Sequence, residues 1–420
     1  MRYLISGYYG EGNAGDEAIL AGILRALQSR DPEAEFTVLS FSPEDTERRH
    51  RVEAIPTGLR DPRPLLRALR GADILISGGG SFLHEADLDL YGHSFLWREG
   101  KLRPVPYFLS VVLAARALGV PVMWYAQGLG PLHTAWAGRA VRFAGSRSQA
   151  VTWRDRDSAR LAARLGVRAP VERVVPDPAY GLESADPGRV AVALAARGAP
   201  VGAGSAGSAG SVGGRFMVVC PRPWLDRTVY EEKMIAALAR VAAAEDLALL
   251  FLPLHEWLDG PVCRRMAGDL RLAERAWVCG GDGGSEGDGG SEFLMGLLSL
   301  AELVVTVRLH GGILAAAAGT PSVSVAYDPK VWAFARQTGQ EKWAVGMEEL
   351  EGPGGEEQLE DAVLATLHSL PGRRAALRRA VAPLKKEAGQ TAALAVQIAA
   401  GKRPLSPLGR WVRRGDFGGR

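Results

Sequence analysis

Cysteine, long apolar runs and net charge are all scarce in this sequence. The three cysteines among 420 residues are widely separated and form no CxxC pair, which excludes a disulfide framework and zinc-ligand spacing. The most apolar long stretch, residues 104–126, is interrupted by Arg116 and Pro121, so no membrane-spanning helix is predicted. The chain starts without a long apolar leader and cleavage site, and we expect a cytoplasmic protein.

The charge balance argues against a nucleic-acid-binding protein. Lysine and arginine number 50 and aspartate and glutamate 47, for a net charge of +3. The excess lies in residues 401–420, which contain six basic residues and one acidic residue. A basic tail of this kind suits contact with an anionic membrane, although a solvated tail explains it equally well. With 47% hydrophobic residues, the rest of the chain is typical of a folded protein with two domains.

Short apolar runs alternate with amphipathic helical patterns in both halves of the chain. In the first half the predicted strands are RYLISGYY, EFTVLSFS, ADILISGGG, VPVMWYAQG and AVTWRD. In the second half they are RFMVVCPRPW, LALLFLPLHE, AWVCG, ELVVTVRLHG and PSVSVAYDPK. This alternation predicts an α/β fold of two Rossmann-like, doubly wound domains that face a cleft, as in the GT-B arrangement.

Composition predicts the domain boundaries. Residues 1–185 form the first Rossmann-like domain, residues 186–215 a flexible linker rich in glycine and serine, and residues 216–400 the second domain with two terminal helices. Residues 401–420 form the basic tail. A second low-complexity stretch, residues 280–292, is predicted to be a surface loop.

Segments rich in glycine, arginine, histidine and acidic residues follow the predicted strands in both halves. Because ligands bind at the carboxyl ends of parallel strands, these segments predict one composite site. In the first half they are GYYGEGNAGDE, SGGGSF, QGLGP and RDRDS, and in the second half PRPW, PLHE, RLHGG and YDPK. The first segment fits neither the GxGxxG dinucleotide pattern nor a P-loop, because no lysine follows it.

The second half supplies cations for an anionic ligand. Arg308 and His310 follow an apolar strand and open the next helix, a combination suited to binding an anion. Lys330 follows the next strand, Arg222 adds a further cation, and Arg154 of the first half brings the count to five. So many cations predict a small ligand with more than one anionic group.

The first half supplies groups suited to a sugar. Asp16 either caps the first helix or hydrogen-bonds a hydroxyl-rich acceptor, and the glycine triplet either binds ligand or packs closely. His84, Glu85, His255 and Glu256 are weaker candidates for sugar contacts. The predicted acceptor-binding residues are Tyr9, Asn13, Asp16, Glu17, Gly79, Gly80 and Ser81.

The strand-end segments, together with VVPDPAY and the run RLHGGILAAAAGTPSVSVAYDPKV, resemble the polysaccharide pyruvyltransferase family, most closely its CsaB-type bacterial members. The resemblance spans Met1 to about Phe334, apart from the two low-complexity insertions. It implies an enzyme that transfers the pyruvyl group of phosphoenolpyruvate onto a sugar as a ketal. For CsaB-type members the implied acceptor is N-acetylmannosamine in a lipid-linked precursor of a cell-wall polymer that anchors surface-layer proteins.

The resemblance also implies roles for individual residues. Phosphoenolpyruvate would be bound by Arg222, Arg308, Leu309, His310 and Lys330, and the catalytic residues would be His310, Asp16 and Arg154. His310 would either protonate the donor or hold its phosphate, and Asp16 or Glu17 would be the base for the attacking hydroxyl. We expect no metal and no cofactor, with phosphoenolpyruvate as co-substrate and a peripheral position at the inner face of the membrane. Similar sequences have Gln-Asp where this chain has His84 and Glu85. Two other functions remain open: a GT-B glycosyltransferase with a nucleotide-sugar donor, and a non-catalytic sugar- or anion-binding protein.

Overall fold

Parallel strands and covering helices build two compact units in this chain. The computed structural model describes residues 1–57, 61–85, 97–98, 101–102, 104–196, 198–199, 214–224, 227–272, 275–279 and 290–401. The first unit contains Met1–Glu11, Asp16–Gly181 and the described residues from Lys386 onward. The second unit contains Gly12–Gly15 and Leu182–Lys385. None of the described helices is long and apolar enough to cross a membrane.

The first unit has a parallel sheet in the order β3-β2-β1-β4-β7-β8-β9. Its strands are β1 (Arg2–Ser6), β2 (Glu35–Ser40), β3 (Glu53–Pro56), β4 (Ile74–Leu83), β7 (Val122–Leu129), β8 (Ala150–Trp153) and β9 (Val171–Val174). A separate hairpin consists of β5 (Trp97–Arg98) and β6 (Lys101–Leu102). The helices are α1 (Ala14–Gln28), α2 (Pro43–His50), α3 (Arg63–Gly71), α4 (Pro104–Ala117), α5 (Ala135–Gly145) and α6 (Arg156–Leu165).

Helices on both faces of the first sheet explain why its central strands are almost wholly buried. Successive side chains of a strand point to opposite faces, and β1 follows this rule. Tyr3 and Ile5 belong to one buried cluster, whereas Leu4 belongs to the other. A sheet covered on both faces produces the continuous apolar runs that predict these strands.

The second unit has a parallel sheet in the order β12-β11-β10-β13-β14-β15. Its strands are β10 (Phe216–Cys220), β11 (Ala248–Phe251), β12 (Ala276–Val278), β13 (Val304–Thr306), β14 (Ser322–Ala326) and β15 (Val345–Gly346). The helices are α7 (Pro187–Ala196), α8 (Val229–Glu245), α9 (Glu256–Ala267), α10 (Gly290–Leu300), α11 (Leu309–Ala318), α12 (Pro329–Gln337), α13 (Met347–Glu351) and α14 (Gly355–Leu367). The last helix, α15 (Leu370–Ala399), begins in the second unit and belongs to the first unit from Lys386 onward. The three cysteines are buried and free.

Both sheets have the Rossmann strand order, because the chain winds outward in opposite directions from a central pair of strands. In the first unit this pair is β1 and β4, and in the second it is β10 and β13. The ends of these strands are where an open α/β sheet binds its ligand. The predicted fold of two Rossmann-like domains is confirmed.

The structure differs from the predicted linker and from the predicted last domain. Pro187–Ala196 forms helix α7 within the predicted linker, since Val190, Ala191 and Leu194 are buried. The chain divides after Gly181, and the residues from Lys386 return to the first unit instead of completing the second. The remainder of the linker (residues 197 and 200–213), most of the second low-complexity stretch (280–289) and the tail (402–420) lie outside the described residues.

Candidate functional site

Two predicted arginines flank the central strand pair of the second sheet. Arg222 lies two residues beyond β10 and Arg308 two residues beyond β13, and these strands are hydrogen-bonded neighbours. Both arginines therefore lie at the edge where the strand order reverses, as the sequence predicts.

Arg308 is held by a carboxylate that the sequence did not single out. Its Nε lies 2.9 and 3.2 Å from the two carboxylate oxygens of Asp259, and one terminal nitrogen also contacts that carboxylate. Asp259 is 0% exposed, and its Oδ2 accepts a hydrogen bond of 3.0 Å from the backbone N–H of His255. A two-pronged ion pair of this kind fixes the plane of the guanidinium group.

Arg222 and Lys330 meet at one aromatic side chain, Tyr327. The Arg222 guanidinium donates a hydrogen bond of 2.6 Å to the Tyr327 hydroxyl and lies over the Tyr327 and Trp224 rings, 4.7 and 5.0 Å from their centroids. The Lys330 ammonium lies 5.6 Å from the Tyr327 centroid and 3.3 Å from Asp328 Oδ2. Cation–π contacts hold both positive charges at Tyr327, and Lys330 is also paired with the Asp328 carboxylate.

His310 lies in the first turn of α11, against part of the N-terminal glycine motif. A Cβ atom added to Gly15 would lie 2.4 Å from His310 Nδ1, so only glycine fits beside this ring. The side chain of Leu309 is 8% exposed, which leaves its backbone N–H as the group that could reach an anion.

The four residues Gly12–Gly15 belong to the second unit by their contacts. The backbone N–H of Ala14 donates a 2.8 Å hydrogen bond to the Leu254 carbonyl, and Asn13 forms an isolated antiparallel bridge with His255. Asn13, predicted to bind the acceptor, is thereby placed beside His255.

His255 is the second histidine at this sheet edge. Burial lowers its pKa, and the positive charges of Arg308 and Arg222 lower it further, while Asp259 acts in the opposite direction. The residue is 6% exposed, and its burial beside two cations favours the neutral form of the imidazole. It was only a weak candidate in the sequence, because nothing in PLHE shows its two arginine neighbours.

In the first unit, the glycine triplet is part of strand β4 and not a loop after it. Gly78, Gly79 and Gly80 all have positive φ, and Gly78 and Gly80 pair with β7. A Cβ atom on Gly79 would lie 2.0 Å from Ile19 Cγ2, so close packing explains that glycine. A Cβ atom on Gly80 would meet Asp16 Oδ1 at 3.3 Å, which places Gly80 beside the candidate base.

Arg154 is engaged within the first unit. Its guanidinium contacts Ser81 Oγ and lies 3.3 Å from Asp177 Oδ2, and the residue is 6% exposed. The structure thus joins Arg154 to Ser81, which was predicted to bind the acceptor. Arg222 and Lys330, both in the second unit, meet at Tyr327.

Three candidate acceptor contacts have internal partners instead. Tyr9 is 0% exposed and its hydroxyl donates a 2.5 Å hydrogen bond to the Gly78 carbonyl, so a contact between this side chain and an acceptor is contradicted. Glu17 is 4% exposed and accepts a hydrogen bond from Gly10 N (2.8 Å), and its other oxygen lies 2.7 Å from His50 Nε2. These contacts give Glu17 a role in holding the glycine loop and leave Asp16 as the better candidate base.

Glu85 is the third of these residues. Its two carboxylate oxygens accept hydrogen bonds from His133 N (2.7 Å), Thr134 N (2.8 Å) and Thr134 Oγ1 (2.7 Å), and the residue is 6% exposed. Thr134 is the N-cap of α5. Glu85 therefore organises a helix start and is not free to contact a sugar.

No group of three or more histidine, cysteine, aspartate or glutamate side chains suited to a metal occurs in the described part of the chain. The expectation of a reaction without metal or cofactor stays a prediction.

Several solved structures are similar to this chain over almost its whole length. A candidate UDP-N-acetylglucosamine 2-epimerase from Listeria monocytogenes matches with a TM-score of 0.61 at 13% identity, over 97% of this chain and 99% of that one. Anabaena Alr3699/HepE, solved with UDP-glucose, matches with a TM-score of 0.56 at 14% identity, over 94% of this chain and 99% of that one. A glycosyltransferase from Rickettsia africae matches with a TM-score of 0.59 at 9% identity, over 95% and 98% of the two chains. At these identities the likeness establishes a GT-B-like fold and no more.

Sequence comparison decides the family. None of the curated proteins matches this chain. The family model for polysaccharide pyruvyl transferase matches residues 13–329, from the Asn13 that bridges to His255 through the RLH motif almost to Lys330. This chain belongs to the polysaccharide pyruvyl transferase family.

Proposed function

We propose that the protein transfers the pyruvyl group of phosphoenolpyruvate to a saccharide, forms a cyclic ketal and releases phosphate. The observation that carries this proposal is the set of basic residues at one edge of the second sheet, namely Arg222, Arg308, His310 and Lys330. Phosphoenolpyruvate carries a carboxylate and a phosphate, and two fixed arginines and a lysine match those two anionic groups.

Each of these residues has a proposed role in binding the donor or in transferring a proton. Arg308, oriented by Asp259, and Arg222 and Lys330, gathered at Tyr327, bind the carboxylate and the phosphate, whose charge grows as its bond to carbon breaks. His310 gives a proton to the methylene carbon or holds the phosphate. Asp16, beside Gly80, is the proposed base for an attacking hydroxyl.

The chemistry balances with two sugar hydroxyls. The methylene carbon gains a proton, one hydroxyl oxygen bonds to C2, the C2–phosphate bond breaks, and the second hydroxyl oxygen closes the ring. One hydroxyl proton replaces the proton given to the methylene carbon, and the other leaves with phosphate. No oxidant or reductant is required.

The acceptor that we propose is N-acetylmannosamine in a lipid-linked precursor of a cell-wall polymer, whose pyruvylated form anchors surface-layer proteins. We further propose a cytoplasmic enzyme whose basic tail contacts the anionic inner face of the membrane, where such an acceptor would lie. The support is the charge of residues 402–420, which lie outside the described residues.

A nucleotide-sugar glycosyltransferase is the second candidate, favoured by the UDP-glucose complex of Anabaena Alr3699/HepE. Thermal unfolding with phosphoenolpyruvate or with UDP-glucose separates the two, since a ligand stabilises only the protein that binds it. Stabilisation by UDP-glucose alone, with no phosphate released from phosphoenolpyruvate and any saccharide, would refute pyruvyl transfer.

The His310→Ala variant tests the proposed chemistry. We expect phosphate release to fall by about 10²–10⁴-fold, the usual contribution of a general acid. His368→Ala is the matched control, because His368 is an exposed histidine of the same unit that contacts Glu245. If His310→Ala is still stabilised by phosphoenolpyruvate, His310 is the acid; if stabilisation is lost as well, it holds the phosphate. Near-normal turnover would remove His310 from the mechanism.

A further inference from the structure

An exposed tryptophan stands beside the anion-binding residues of the second unit. Trp257 lies in the first turn of α9 and is 71% exposed. Moving a large aromatic side chain out of water lowers the free energy, so a ligand that covers this exposed indole would be stabilised by the contact.

Trp257 is fixed against His255. The two ring centroids are 5.7 Å apart at an interplanar angle of 79°, so the rings meet edge to face. The backbone N–H of His255 is anchored by Asp259, the same carboxylate that orients Arg308. The aromatic pair is therefore built into the frame that holds the proposed donor site.

His255 carries a polar atom without a partner. Its Nδ1 is buried and makes no hydrogen bond within the described part of the chain, and the whole residue is only 6% exposed. A buried polar atom left unsatisfied costs stability, so a ligand group that bonds to it would gain that free energy on binding. A hydroxyl group from a ligand would satisfy it after a small movement of the ring.

Glu256 completes the first turn. Its Oε1 accepts a 3.0 Å hydrogen bond from Arg264 Nη1, and its side chain is 45% exposed. An apolar ring face with an imidazole and a carboxylate beside it suits a pyranose, which presents C–H groups on one face and hydroxyl groups around its rim.

We propose that His255, Glu256 and Trp257 form a subsite for the acceptor, with one sugar ring stacked on Trp257 and its hydroxyl groups bonded to His255 and Glu256. The choice of a sugar rests on the proposed function, in which a saccharide accepts the pyruvyl group. The subsite belongs to the second unit, whereas the sequence placed its main acceptor contacts, apart from Asn13, on residues now found in the first unit and gave His255 and Glu256 only as weaker candidates.

Three variants of the full-length protein test the subsite. Trp257→Ala removes the platform, Trp257→Phe keeps a smaller one, and Leu270→Ala is the control, since Leu270 is 94% exposed and lies just beyond α9. Calorimetry measures binding of the methyl β-glycosides of N-acetylmannosamine, N-acetylglucosamine and galactose without donor. Steady-state assays of phosphate release measure KM for glycoside and for phosphoenolpyruvate.

We expect Trp257→Ala to raise the glycoside Kd and KM about tenfold, as the loss of one stacked ring does, with KM for phosphoenolpyruvate unchanged. Trp257→Phe should lie within about threefold of the parent protein, and Leu270→Ala should equal it. Because Trp257 is exposed, all three variants should unfold at the parent temperature.

The subsite and the proposed reaction fail in different ways. If the parent protein binds a glycoside, Trp257→Ala loses that binding and no phosphate is released, the subsite stands and pyruvyl transfer is refuted. If phosphate is released and Trp257→Ala leaves the glycoside Kd and KM unchanged, the subsite is refuted. The absence of binding of all three glycosides to the parent protein at millimolar concentration also refutes it.

Discussion

At the scale of single residues, Asp259 is the side chain on which the orientation of Arg308 depends. It is fully buried, and both of its oxygens contact the Arg308 guanidinium. In Asp259→Asn the shape is kept but the negative charge is lost, so Arg308 remains mostly buried without its counter-charge. Breaking a buried pair in this way costs about 3–5 kcal/mol, and urea unfolding should show a loss of that order.

The same variant should weaken donor binding. A guanidinium no longer held in one plane binds a carboxylate or phosphate less well, so we expect the concentration of phosphoenolpyruvate that gives half-maximal thermal stabilisation to rise about tenfold. Asp269→Asn is the control, since Asp269 pairs with Arg271 at the surface and such pairs contribute at most about 1 kcal/mol. Equal unfolding midpoints for the two variants would contradict the assigned role of Asp259.

The sequence predicts the cations of this site but not the residues that position them. Arg308, His310 and Lys330 could be found because each follows an apolar strand. Asp259 is separated from Arg308 by 49 positions and lies inside a helical pattern, where a carboxylate usually indicates a solvated face. No local pattern shows that these two side chains meet.

At the scale of elements, Glu85 organises the start of α5. Its carboxylate accepts bonds from two backbone N–H groups and the Thr134 hydroxyl. In Glu85→Gln the new amide nitrogen cannot accept the bond from the Thr134 hydroxyl, and the remaining oxygen carries no negative charge, so its bonds to the two backbone N–H groups are weaker. The expected loss is about 1–3 kcal/mol in the free energy of unfolding, measured by urea denaturation.

Enzyme assays on the same variant test whether Glu85 contacts the acceptor. We expect the acceptor KM of Glu85→Gln to equal that of the parent protein, because its carboxylate is used internally. Glu33→Gln, an exposed substitution in the same unit, should change neither stability nor KM. A selective rise in acceptor KM for Glu85→Gln would restore this residue to the binding site.

The apolar content of a strand decides whether the sequence predicts it. Strands such as β1, β10 and β14 are wholly or almost wholly buried, and their apolar runs predict them. The missed strands are short or polar: β3 reads EAIP, β9 reads VERV, and β15 has two residues. Such strands form because a parallel neighbour supplies their hydrogen bonds, which no window of sequence contains.

At the scale of the whole molecule, the residues from Lys386 onward belong to the first unit. The sequence predicts that residues 216–400 all belong to the second domain. Periodicity shows that α15 is a helix with an apolar stripe but not which core that stripe enters. From Lys386 onward its buried residues, among them Ala392, Leu394 and Ile398, join the cluster that contains Tyr3 and Ile5. The Arg30 guanidinium also donates a 3.0 Å hydrogen bond to the Gly389 carbonyl.

Two truncated chains test this assignment. A chain that ends at Lys385 exposes the partners of Leu394 and Ile398, each 4% exposed in the full protein, and burial of each such side chain contributes about 1.5–3 kcal/mol. The expected loss of about 3–6 kcal/mol is a large part of the stability of an ordinary domain. A chain that ends at Gly401 keeps the whole helix and should unfold at the full-length temperature in calorimetry.

Hydrogen exchange of the shorter chain should show lost protection in β1 and α1 and unchanged protection in β10 and β13, because only the first core has lost apolar contacts. Loss of protection in β10 and β13 instead would place the final helix with the second unit.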